Sequence, residues 1–145
     1  MVHGPGFELD EIQDTQQLIT STHAHGDCLG SLFEDYSDGF INPISPLIRR
    51  EVYIEFPLYE DIFSEGESLF YRIAMKYKFY YSSEPLVVMR YHETNMGKAI
   101  KKNIDMHLIC LERLEQNIDF PTIYQKPLNI YRSHIIFSNA WHCMR

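Results

Sequence analysis

Between Lys98 and Ile118, the residues Ile100, Ile104, Leu108, Leu111, Leu114 and Ile118 recur at three- and four-residue spacing. Only an α-helix brings such a set onto one face. A lone amphipathic helix of this length is marginal in water, so its stripe must lie against apolar surface supplied elsewhere in the chain. The chain can supply it: 145 residues with 45% hydrophobic content suffice for one domain with a real core.

The neighbouring segments predict that surface. Leu128 to Cys143 reads as a last helix, after a link bracketed by Pro121 and Pro127. Upstream, Ser64 and Glu67 form a capping box, with Leu69, Phe70, Ile73 and Tyr77 at helical spacing behind it. Lys78 to Ser82 and Leu86 to Tyr91 read as strands joined by Ser83-Glu84-Pro85. Arg50 to Phe56 predicts a short helix stopped by Pro57. Gly39 to Arg49, with Pro43 and Pro46, suits an irregular or edge strand. The expected class is α/β, with a helical C-terminal region.

The first part of the chain reads differently. Residues 1–6 look disordered, and Glu8 to Ile19, with Leu9, Ile12 and Ile19 as apolar marks, makes a modest helix at best. Thr20 to Gly39 reads as an acidic loop. Residues 1–48 hold eight acids and no Lys or Arg, whereas residues 49–145 hold all 13 basic residues and the other 12 acids, giving a net −7. No basic stripe exists for nucleic acid. Cys28, Cys110 and Cys143 are odd in number and widely spaced, which reads as free thiols in a reducing compartment. No signal sequence opens the chain and no run approaches a membrane span, so the expected location is cytoplasmic, with peripheral membrane association left open. No Gly-x-Ser-x-Gly, P-loop or Gly-x-Gly-x-x-Gly occurs.

Four pieces between Gly39 and Gly97 fall in a recognisable order. They are a strand ending in two basic residues (Ser45 to Arg50), an acidic helix start (Glu65 to Arg72), a Tyr-rich strand (Lys78 to Tyr81), and Glu84-Pro85-Leu86-Val87 leading to Arg90, Tyr91, His92 and Asn95. This stretch resembles the acceptor-side half of family 2 glycosyltransferases, which are inverting, nucleotide-sugar-dependent enzymes of GT-A fold. The resemblance implies a partial GT-A-like mixed sheet with flanking helices. It divides the chain into an acidic segment (1–38), a half-domain (39–97) and C-terminal helices (98–145). It also implies a nucleotide-sugar donor, a glycan, lipid or cell-wall acceptor, and a divalent cation, Mn or Mg.

The family's catalytic base is an Asp in a Glu-Asp pair at a helix start, taking the proton from the attacking acceptor hydroxyl. Here Glu65 or Glu67 stands nearest that role; serving only the helix dipole and cap is the plainer reading of both. By the same resemblance Arg49, Arg50, Arg72 and Arg90 are substrate-binding candidates and His92 a metal-site candidate. A solvated helix start for Arg49 and Arg50, an ion pair to Glu84 or Glu93 for Arg90 and a structural His92 are the simpler alternatives. No Asp-x-Asp for the metal occurs, and the family's nucleotide-binding half has no counterpart in this stretch. A truncated or inactive form is therefore the expectation, as is a homo-oligomer that covers exposed sheet edge.

Two other classes stay in view. Leu18 to Leu32 (LITSTHAHGDCLGSL) resembles the metal loop of metallo-β-lactamases, with His23, His25 and Asp27 matching and Cys28 in the last His position. Imidazole and thiolate are both good zinc ligands, so this implies a zinc hydrolase. The remaining class is a non-catalytic binding or assembly module.

Overall fold

A computed structural model of the chain describes residues 1–34, 41–42, 44–62, 66–93 and 100–143, excluding the side chains of residues 66, 67, 100, 103, 139, 142 and 143. The described residues form a mixed α/β structure with two small sheets and five α-helices. In chain order these are β1 (Val2–His3), β2 (Gly6–Asp10), β3 (Thr15–Ile19), α1 (Leu29–Glu34), α2 (Arg50–Glu55), α3 (Gly66–Ala74), β4 (Tyr80–Tyr81), β5 (Val87–Tyr91), α4 (Ile100–Glu115) and α5 (Gln125–Cys143). No helix among the described residues is long and apolar enough to cross a membrane.

The helices expected from periodicity are present. On α4, Leu111 and Leu114 are fully buried, with Ile104 and Leu108 packed at the edge of the same cluster. They meet Ile73, Phe70 and Leu69 of α3 and Leu128, Tyr131 and Ile135 of α5. Ile118 departs from the expected stripe: α4 ends at Glu115, and Ile118 is 97% exposed. Asn117 ends the helix, its side-chain oxygen accepting from Asp119 N–H and its backbone carbonyl from Phe120 N–H. Pro127 falls in the first turn of α5, where a missing N–H costs nothing.

The N-terminal third corrects the sequence reading in three places. Residues 1–6 are built into the sheets: β1 (Val2–His3) pairs in parallel with β4, Val2 also bridges Leu47, and Gly6 opens β2. Glu8 to Ile19 is a hairpin, not a helix, with β2 antiparallel to β3 in the register Gly6–Ile19 to Asp10–Thr15. Turn chemistry decides this. Asp10 Oδ1 accepts from Ile12 N–H and Gln13 N–H, and Asp14 takes a left-handed φ of 52°. Within the supposed loop, α1 inserts Leu29, Leu32 and Phe33 into the core, Phe33 lying 5.1 Å from the Tyr71 ring.

Ser45 to Arg50 is not a strand either. Its sheet contact is the single Val2–Leu47 bridge, because Asn42 and Ser45 turn the backbone on themselves (Ser45 N–H and Oγ–H to Asn42 O). The helix expected at Arg50 follows as α2, ending before Pro57. The capping-box residue Ser64 lies outside the described residues.

β1 and β2 form one bent ribbon running parallel to β4 and β5. Ser82 N–H to His3 O and Leu86 N–H to Pro5 O carry the ladder across the bend. Gly4 sits at that bend, where a Cβ would lie 2.6 Å from Ser82 O. The first 34 residues thus share both sheets and the core with the rest of the chain. The second sheet has the order β3-β2-β5.

Candidate functional site

The narrow sheet around β1 has two unlike faces. Inward, His3 is fully buried, its Nε2 2.8 Å from Ala24 O and its ring edge-on to Phe79 and Tyr81. Burial holds the His3 pKa below its ordinary value, against the Ala24 hydrogen bond, which acts the other way.

Outward, cross-strand pairing sets Leu47, Val2 and Tyr80 side by side, and the His25 ring continues the row 5.3 Å from Tyr80. Leu47 is 72% exposed, Tyr80 59% and Val2 36%. This is a flat aromatic and apolar shelf in open solvent. Its surroundings carry both signs: Arg49 and Arg50, exposed, follow Leu47 in the chain, with Glu51 4.0 Å from Arg49, and Lys78 pairs with Asp27 at 3.5 Å.

The shelf is assembled from far-apart residues. Gly26, at φ 68°, makes the turn that lets residues 22–26 run against Phe79 through paired bonds of 2.8 and 3.0 Å. A left-handed φ favours glycine. Either side of that bridge Thr22 and Ala24 are buried while His23 and His25 are exposed, the alternation of an extended segment. Tyr81 N–H donates to His25 Nδ1 at 3.3 Å, so neutral His25 carries its proton on Nε2, as a donor.

The candidate zinc set behaves differently from a metal loop. His25 Nδ1 is already an acceptor, His23 stacks on Tyr81 at 4.4 Å, and Asp27 is paired with Lys78. Cys28 is buried among α1 side chains, and burial pushes its thiol up to about 12, which keeps it protonated and a poor ligand. Among the described residues, no group of three His, Cys, Asp or Glu side chains is gathered to hold a metal.

The glycosyltransferase-type candidates scatter. Arg72 is buried; its Nη2 donates to Pro57 O at 2.9 Å and its guanidinium lies 4.1 Å from the Tyr59 ring centre. Arg113 also lies over Tyr59, at 4.9 Å, and chelates Asp61. These contacts anchor residues 57–61 to α3 and α4. Arg90 belongs to the other sheet and bonds Glu11 through Nε at 2.6 Å. His92 follows β5, half-buried. Glu65 and the Glu67 side chain lie outside the described residues, as does Asn95.

Among the described glycosyltransferase-type candidates, Arg49 and Arg50 lie nearest the shelf in the chain, two and three residues after Leu47, whereas His25, singled out by the metal-loop resemblance, is part of it. Val2 and Leu47 were not legible as surface residues, because nothing local says that their strands meet. The exposed His-x-His alternation and the Tyr pair at 80–81 were visible, but their juxtaposition was not. Compared with known proteins, the chain matches no family model, no curated protein and no solved structure.

Proposed function

We propose that these residues form the acceptor-side part of a family 2 glycosyltransferase-like protein, and that they bind a glycan without transferring sugar themselves. The reading rests on the ordered resemblance across residues 39–97. The observation that carries it is the shelf. An exposed Tyr80 ring presents a face on which the apolar side of a sugar ring can stack, and His25 sets a donor beside it for a sugar hydroxyl. Arg49 and Arg50 follow Leu47 in the chain, and their planar guanidinium groups suit acidic sugars or a phosphate. The GT-A-like sheet, the donor nucleotide-sugar and the Mn or Mg ion belong to this same proposal.

Transfer needs a donor diphosphate neutralised by a cation and an acceptor hydroxyl positioned within about 3–3.5 Å of the anomeric carbon. With no Asp-x-Asp, nucleoside diphosphates with manganese should bind no tighter than millimolar to this polypeptide.

The test is saturation-transfer NMR with neutral and acidic oligosaccharides up to about 10 mM, the weak limit of a single-ring site. Binding is expected, and Tyr80→Ala should abolish it while Tyr53→Ala, at another exposed ring, leaves it intact. No oligosaccharide signal, or a signal indifferent to Tyr80→Ala, would overturn the reading.

A further inference from the structure

The second sheet offers an interface of its own. Its order leaves β3 at an edge, paired among the described residues only with β2. Edge strands usually carry charges, a proline or a bulge that discourage further pairing. β3, Thr15-Gln16-Gln17-Leu18-Ile19, carries none, and no charged residue occurs between Asp14 and Asp27. The opposite edge, β5, does carry a charge, Arg90.

The side chains point the same way. Register places Val88, Phe7 and Leu18 in one row across the three strands, on one face. Val88 and Leu18 are each 56% exposed, so the row runs to the open edge and stops there.

We propose that β3 pairs antiparallel with β3 of a second copy of this chain, joining two three-stranded sheets into one of six strands. Full overlap of the five residues puts Gln17 on the two-fold axis and sets Leu18 opposite Gln16 of the other copy. Leu18 and its symmetry mate are then diagonal neighbours on the same face, at a spacing long side chains can bridge. The two Val88–Phe7–Leu18 rows become one apolar stripe across the interface. The contact is isologous, so it closes as a dimer.

The local charge pattern admits a second copy: each copy carries −7 overall, but all eight acids of residues 1–48 lie outside β3, so the strands that meet are uncharged. Antiparallel pairing sends the two acidic turns, Glu11 to Asp14, to opposite ends of the joint. There each faces the uncharged Ile19–Thr22 end of the other copy. A parallel pairing would set the two acidic turns side by side.

The experiment is analytical ultracentrifugation across micromolar to submillimolar concentration. The wild-type chain should be a reversible dimer. Gln17→Lys places two ammonium groups directly opposite each other and should raise the dimer dissociation constant about fivefold or more. Within its own hairpin the new Lys faces Glu8, whose Oε1 already accepts from Gln17 Nε2 at 2.9 Å, so the hairpin is kept. Circular dichroism checks this, and Leu18→Lys serves as the second variant. Gln17→Cys, in a Cys143→Ser background, should cross-link to dimer under copper-phenanthroline oxidation, since Cys28 and Cys110 are buried. Phe137→Lys on α5, a 69% exposed apolar site, should leave the dimer intact.

A strict monomer overturns the proposal. So does a dimer that survives Gln17→Lys and Leu18→Lys, or one that Phe137→Lys dissolves. Glycan binding through Tyr80 is read separately, so either proposal can fail alone.

Discussion

The helical body and the three-stranded sheet are built on opposite terms. In the body, α1, α3, α4 and α5 surround a continuous cluster in which Ile73, Leu111 and Leu128 have no exposed surface. In the sheet, β3 is exposed along nearly its whole length, and no side chain of β3 or β5 is fully buried. The body also holds a buried hydroxyl contact, Tyr71 to Tyr131 at 3.0 Å, where the sheet has surface bonds such as Arg90 to Glu11. The lesson is a division of labour: cohesion resides in the helices, and the three-stranded sheet presents surface.

The comparison breaks if the two regions respond alike to truncation. Leu111→Ala should cost about 2–5 kcal/mol, because the removed atoms leave a cavity between three helices. Leu18→Ala should cost less than about 0.5 kcal/mol for the monomer. Urea denaturation of both variants is the check, and equal losses would reject the division.

The joint between the regions comes next. Gly4→Ala drives a Cβ toward Ser82 O at 2.6 Å, a backbone atom that cannot swing away. The expected cost is about 1–3 kcal/mol. A thermal melt that is unchanged would mean the β1–β2 bend is softer than its contacts suggest.

A smaller contribution is the hydroxyl pair of the body. Tyr71→Phe leaves the Tyr131 hydroxyl without that partner and should cost about 0.5–1.5 kcal/mol. Denaturant midpoints would register it; no change would mark the contact as dispensable.

The smallest expected effect sharpens the comparison through pH. His3 has a folded pKa below its ordinary 6.5, chiefly from burial. The unfolded chain therefore takes up a proton that the folded chain resists, and stability falls as pH drops through 6.5 toward the folded value. Glu115, held low first by its hydrogen bond from Arg132, loses its contribution only below its ordinary 4.5. Denaturation midpoints at pH 7.5 and 5.5 should differ for the wild type, and less so for His3→Gln. An identical slope in both would remove His3 from the account.

Much of the body was legible because periodicity is a local signal. Leu69, Phe70 and Ile73 on α3, and Leu108, Leu111 and Leu114 on α4, announced helices whose buried faces match. α1 was missed because six residues, Leu29–Glu34, are too short for a periodic pattern to stand out from loop. The hairpin was missed because Thr15-Gln16-Gln17 has no apolar alternation. Its real signal was turn chemistry, Asp10 four residues ahead of Asp14.

The candidate site was hardly legible. Tyr80 and His25 could be seen as residues, but the shelf exists only where residues 2, 25, 47 and 80 meet. The sequence by itself determined α3, α4, α5 and the strand character of residues 87–91, since each carries its own apolar pattern. Tertiary structure alone decided that residues 2–3 are strand and that His3 is inside while Tyr80 is outside. It also decided that β3 ends a sheet with no charge to guard it. A two-residue strand has no local stability, and its existence and its facing come from partners distant in the chain.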